Sequence, residues 1–101
     1  DFTKALSFDK ENVRALYSRG LAWRSRGDHE EPRANHYEKA VADFRAARTK
    51  DPRHLEAWGD EAQIFELFQK WEDAASVYEE ALKHLPGHPG LMKRLEAVKG
   101  K

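Results

Sequence analysis

Apolar residues recur every three or four positions between residues 55 and 88, and they fall into two groups. The groups are Trp58, Ala62 and Phe65, followed by Ala74, Tyr78 and Ala81. This spacing places each group on one face of an α-helix. Gln69 and Lys70 leave room only for a short turn between the two helices, so an antiparallel pair is predicted. Pro86 and Gly87 are predicted to end the second helix.

This stretch resembles a tetratricopeptide repeat, a helix–turn–helix unit of about 34 residues with the pattern W-x2-L-G-x2-Y…A-x3-F…P. The matching residues are Trp58, Ala62, Phe65, Ala74, Tyr78 and Pro86. Glu61 departs from the pattern, because the family prefers leucine there. The resemblance implies an all-α fold, an α-α superhelix in which antiparallel helix pairs form a solenoid, closed by a C-terminal capping helix.

A second repeat with the same spacing is predicted at residues 13–54. Its pattern residues are Leu16, Gly20 and Trp23 in the first helix and Ala40, Phe44 and Ala47 in the second. We expect Gly27 and Asp28 to form the turn, because glycine suits a left-handed helix end. An eight-residue insert, 29–36, makes this repeat longer than the next one. Because proline suits a first helical turn, the second helix is predicted to start near Pro32. The insert is either a tolerated surface insertion or a partner-specific contact.

The two ends of the chain carry parts of the same pattern. Residues 1–12 match the last third of a repeat, so we expect a truncated repeat there and a chain that is a piece of a longer protein. Its apolar edge predicts self-association through these residues. Residues 89–101 are predicted to form the capping helix. The residues on its apolar face are Leu91, Met92, Leu95 and Val98.

Charge is balanced over the whole chain but not along it. The formal net charge is zero, yet residues 1–54 carry 12 basic and 9 acidic side chains, whereas residues 55–101 carry 6 and 9. A chain without net charge has no global field that favours nucleic acid or an anionic membrane. No apolar run approaches the roughly 20 residues of a membrane span. Arg19 and Glu61 stand at equivalent repeat positions with opposite charge, which predicts an ion pair between them.

The reactive side chains form no recognisable catalytic or metal site. There is no cysteine, the serines and glycines match no nucleophile or phosphate-binding motif, and no cofactor is predicted. His84 and His88 have a metal-ligand spacing, but Pro86 separates them, whereas His54 and His88 end equivalent repeats and suggest a turn role. Trp23, Trp58 and Trp71 are interpreted as core residues. This interpretation follows from their positions, because each of them lies in the apolar register.

The family resemblance implies a non-catalytic protein-interaction module that binds a peptide or helix of a protein partner in a concave groove. The residues predicted to line the groove are Arg14, Tyr17, Ser18, Leu21, Arg24, Asp60, Gln63, Glu66, Lys93 and Arg94. A clamp for C-terminal carboxylates, known in one subgroup, is rejected because Tyr17, Leu21 and Asp60 occupy its positions. Two alternatives remain open: a nucleic-acid-binding helical repeat, which is not expected, and a non-catalytic domain of a larger enzyme.

Overall fold

The computed structural model describes the backbone of residues 2–31 and 33–101 and the side chains of residues 12–31 and 33–101. Within these residues the chain forms five helices and no strand, which confirms the all-α helical-repeat prediction. The helices are α1 (Phe2–His29), α2 (Arg33–Lys50), α3 (Leu55–Leu67), α4 (Trp71–His84) and α5 (Pro89–Lys99). They divide into two compact units, unit 1 at residues 1–51 and unit 2 at residues 52–101.

Helix α1 runs without a break across the predicted boundary between residues 12 and 13. The chain from Phe2 to Arg19 contains neither glycine nor proline, and Lys10 stands where the later repeats have Pro52 and Pro86. Without proline, nothing in the local sequence removes a helical hydrogen bond or forces the backbone to turn. The side chains of residues 1–11, on which the predicted self-association depends, lie outside the described residues.

The insert lengthens both helices of unit 1 at the end where they are joined. Relative to α3 and α4, α1 extends four residues further and α2 begins four residues earlier. The predicted helix start near Pro32 is confirmed, because α2 begins at Arg33. The Tyr37 hydroxyl donates to the Asp28 carboxylate, and Arg33 Nε donates to the carbonyl of Gly27 at 3.0 Å. These bonds connect the added last turn of α1 to the added first turn of α2.

The prediction that Gly27 forms the turn is wrong. Gly27 lies inside α1, and a Cβ atom on it would be 3.1 Å from the Tyr37 ring. Its missing side chain therefore lets α1 and α2 approach closely, which is a packing role rather than a conformational one. Gly20 has the same role nearer the start of α1, where the Phe44 ring occupies the space beside it.

Unit 2 contains the predicted helix pair and the terminal helix. Gln69, with φ of 58°, occupies the turn between α3 and α4, and the Lys70 N–H donates to the Phe65 carbonyl at 2.9 Å. Helix α4 ends at His84, and Gly87 adopts φ of 72°, the left-handed region that glycine enters at little cost. Both predicted turns are confirmed.

The core of unit 2 lies between α3, α4 and α5. Its fully enclosed members are Trp58, Ala62, Ala74, Val77, Tyr78, Ala81, Leu91 and Val98. The Trp58 ring stacks on His84 with centroids 5.7 Å apart, and its N–H donates to the Pro52 carbonyl at 2.8 Å. Met92, predicted on the buried face of α5, is instead half exposed. Leu91, Leu95 and Val98 face the core, and Met92 is rotated from Leu91 by about 100°.

Candidate functional site

The groove residues predicted in unit 1 follow one side of α1. Tyr17 and Arg24 are half-buried, whereas Arg14 and Ser18 are exposed. The Tyr17 ring packs on Phe44 with centroids 5.6 Å apart, so the core fixes its orientation. Leu21, one turn further on, is 41% exposed. Tyr17 and Leu21 together form a small apolar patch on a helix face that is otherwise polar.

The groove residues predicted in unit 2 come from α3 and α5. Asp60, Gln63 and Glu66 lie half-buried on α3, and Lys93 and Arg94 lie exposed on α5. The spacing of three residues places Asp60 next to Gln63 and Gln63 next to Glu66 along α3, whereas Lys93 and Arg94 are consecutive on α5 and about 100° apart. The structure therefore presents two acidic groups and an amide on one helix and two cations on another.

The hydroxyl of Tyr78 on α4 lies close to both the acidic Glu66 of α3 and the basic Arg94 of α5. This hydroxyl donates to a carboxylate oxygen of Glu66 at 2.5 Å, a short charge-assisted hydrogen bond. Burial of the phenol, and then the bond to Glu66, raise the pKa of Tyr78, while the nearby Arg94 guanidinium lowers it to a smaller extent. The phenol therefore stays protonated and keeps the Glu66 carboxylate in one orientation.

Gly59 provides the surface on which the Arg94 side chain lies. A Cβ atom on Gly59 would be 3.2 Å from Arg94 Nη1, and Gly59 itself is buried. The guanidinium therefore reaches from α5 across the backbone of α3. Sequence reasoning assigned neither Tyr78 nor Gly59 to the site. A glycine in the interior of a helix, where it costs about 1 kcal/mol relative to alanine, is the signal that could have found it.

Arg19 pairs with Asp43, a partner that the sequence analysis did not name. Its Nε and Nη2 atoms each donate to one oxygen of Asp43 at 2.8 Å, within unit 1. This bidentate geometry is the preferred one for guanidinium and carboxylate, and the bond raises the pKa of Arg19. The repeat comparison that suggested Glu61 missed Asp43, because Asp43 lies on the second helix and not at an equivalent position of a first helix.

Trp23 lies half-buried beside three basic side chains of unit 1. The His36 ring stacks on it with centroids 5.8 Å apart. Lys39 Nζ is 4.4 Å from the ring centroid, and the Arg26 guanidinium carbon is 5.3 Å from it. Trp58 is fully buried as predicted, whereas Trp23 and Trp71 are only half-buried.

The turn role suggested for His54 and His88 is confirmed as helix capping. His54 Nδ1 accepts from the Ala57 N–H at 3.2 Å, and His88 Nδ1 accepts from the Leu91 N–H at 3.3 Å. Each imidazole thereby satisfies one of the N–H groups that a helix leaves without an intrahelical partner. His54 thereby caps α3, and His88 caps α5.

Replacing either capping histidine by alanine is expected to lower the free energy of unfolding by about 0.5–2 kcal/mol, the cost of losing an N-cap. Urea unfolding followed by circular dichroism measures this loss. His54→Asn and His88→Asn are the matched controls, because asparagine supplies another acceptor. An alanine variant as stable as its asparagine counterpart would show that the caps contribute nothing.

In the part of the chain that the structure describes, no three histidine or acidic side chains are grouped so that they could hold a metal ion. No helix among these residues combines the length and the apolar content that crossing a membrane requires.

Comparison with known proteins supports the repeat architecture independently. A family model described as "Tetratricopeptide repeat" matches residues 33–89, more than half of the chain. The match includes α2, α3 and α4. Neither the curated proteins nor the solved structures gave a match. Tetratricopeptide repeats generally mediate protein–protein interaction or scaffolding and are typically non-catalytic. The extent of the family match, together with the helix pairs, shows that this chain belongs to the tetratricopeptide repeat family.

Proposed function

We propose that this chain is a protein-interaction module that binds a segment of a partner protein through the candidate groove residues of α1, α3 and α5. The observation that supports this most is the Glu66 carboxylate, half-buried and held by the Tyr78 hydroxyl on the same side as Arg94. A charged group that is oriented before binding loses little conformational freedom when a ligand arrives. Such a group can therefore contribute to affinity and select the charge of the ligand.

The chemistry of the two units indicates what each face would contact. In unit 1, Tyr17 and Leu21 offer apolar area, and tyrosine is a frequent interface anchor because a large ring ends in a polar tip. In unit 2, Glu66 favours a basic side chain of the partner, and Arg94 favours a carboxylate or a carbonyl oxygen. The partner segment is therefore an amphipathic helix or an extended peptide.

A displayed random-peptide library, selected on the intact chain, tests this function. We expect enriched peptides to combine an apolar residue with a basic one. Glu66→Lys is expected to weaken their binding about tenfold or more, because it removes one charge-assisted contact and introduces repulsion. Tyr17→Ala is expected to weaken it through lost apolar contact.

Glu79→Lys is the matched control, because it makes the same charge change on an exposed part of α4 outside both faces. Peptides that bind the Tyr17→Ala and Glu66→Lys variants as tightly as the parent would rule out these faces as the binding site. Unchanged circular dichroism spectra of the variants keep a loss of binding distinct from a loss of folding.

A further inference from the structure

A shallow groove opens on another side of unit 1, between the start of the described part of α1 and the end of α2. It has a volume of about 350 Å³, and its lining residues are Asn12, Ala15, Leu16, Arg19 and Lys50. Ala15 and Leu16 supply an apolar floor, and the floor is open to solvent because Ala15 is exposed. Arg19 and Lys50 place two cations on the rim.

The charge on this rim is only partly compensated within unit 1. Arg19 holds Asp43 in a bidentate pair while its own side chain remains 64% exposed. Lys50 is exposed at the last turn of α2. The groove therefore fits an apolar side chain that is followed or preceded by carboxylates, because a cationic rim favours an anionic ligand.

The turn between α3 and α4 in unit 2 has this chemistry. Leu67 is 52% exposed and Phe68 is 44% exposed, two of the largest apolar exposures among the described residues. Glu72 and Asp73 follow in the first turn of α4, and both are exposed. Lys70 is exposed between Leu67 and these two carboxylates, so the turn combines adjacent exposed apolar side chains with a net negative charge at the start of α4.

We propose that the α3–α4 turn of one copy of this chain docks into the unit 1 groove of a second copy. Leu67 packs on the floor formed by Ala15 and Leu16, and the carboxylates of Glu72 and Asp73 lie against the cationic rim. Long-range charge assists the encounter, because residues 1–54 have an excess of three basic side chains and residues 55–101 an excess of three acidic ones. The contact surface differs on the two copies, so association proceeds head to tail.

Sedimentation velocity and light scattering of the intact chain test this association between about 10 µM and about 1 mM, concentrations at which binding free energies of about −4 to −7 kcal/mol are detected. We expect the average mass to rise with concentration and to fall when salt is added, because salt screens the rim charges. A chain that remains monomeric at about 1 mM in low salt overturns the proposal.

Two variants that block opposite surfaces identify the contact. Leu67→Ser removes the apolar residue of the turn, and Ala15→Trp fills the groove. Each variant alone is expected to associate at least about tenfold more weakly than the parent, the effect of removing a buried leucine. An equimolar mixture is expected to form a one-to-one complex and nothing larger, because each variant retains the surface that the other lacks.

The controls decide between this contact and other forms of association. Met92→Ser removes a similarly exposed apolar side chain elsewhere in unit 2 and is expected to leave association unchanged. Lys50→Glu reverses a rim charge without altering packing and is expected to weaken association, so the groove is tested even if Ala15→Trp unfolds. A mixture of the Leu67→Ser and Ala15→Trp variants that remains monomeric overturns the proposal. So does a Met92→Ser variant that associates as weakly as Leu67→Ser.

Discussion

Replacing Trp58 by alanine is expected to lower the free energy of unfolding by about 3–5 kcal/mol, the largest effect of any single substitution considered for this chain. Trp58 is 1% exposed and belongs to the core that α3, α4 and α5 share. Its removal leaves a cavity that the short alanines beside it cannot fill. Small domains are stable by only about 5–15 kcal/mol, so the loss removes a large share of the total.

Trp58→Phe retains a large ring at this position but removes the hydrogen bond. Phenylalanine is smaller than tryptophan and cannot donate to the Pro52 carbonyl, so its difference from the parent combines the lost bond at 2.8 Å with a partial loss of packed volume. We expect this variant to be clearly more stable than Trp58→Ala. The measurement is urea unfolding followed by circular dichroism. A loss below about 1 kcal/mol for Trp58→Ala would contradict an enclosed core at this position.

The sequence predicted the helices well because helix formation depends mainly on residues that are close together in the chain. The apolar spacing identified α3 and α4, and Pro86 and Gly87 marked the end of α4. The start of α2 near Pro32 was predicted correctly, but the role of Gly27 was not, since a glycine could equally serve a turn or a close helix contact. Only the position of the Tyr37 ring distinguishes these roles, and that position depends on packing between helices.

The candidate site was less predictable because it depends on contacts between different helices. Glu66 was identified from its register, but its bond to Tyr78 joins residues of α3 and α4. Arg94 was likewise identified, but the role of Gly59 beneath it requires the position of α5. Comparing equivalent positions of two repeats suggested Glu61 as a partner of Arg19 and left out Asp43, which Arg19 contacts across one helix hairpin. Repeat comparison shows which residues are equivalent and does not show which ones touch.

Two of the buried helix glycines, Gly20 and Gly59, are expected to respond in opposite ways to the same substitution. Gly20→Ala is expected to lower the free energy of unfolding by about 1–3 kcal/mol, the usual cost of overpacking. The new Cβ would lie 2.7 Å from the Phe44 ring, which is fully enclosed and cannot move aside. This clash exceeds the gain of about 1 kcal/mol that alanine offers over glycine in a helix.

Gly59→Ala is the matched comparison within the same protein. Its new Cβ would be 3.2 Å from Arg94 Nη1, the end of a flexible and exposed side chain that can shift at little cost. Here the gain in helix propensity is expected to dominate, so the variant is as stable as the parent or more stable by up to about 1 kcal/mol. Thermal and urea unfolding of both variants measure the difference. Equal effects at the two positions would show that the rigidity of the neighbouring side chain does not decide the outcome.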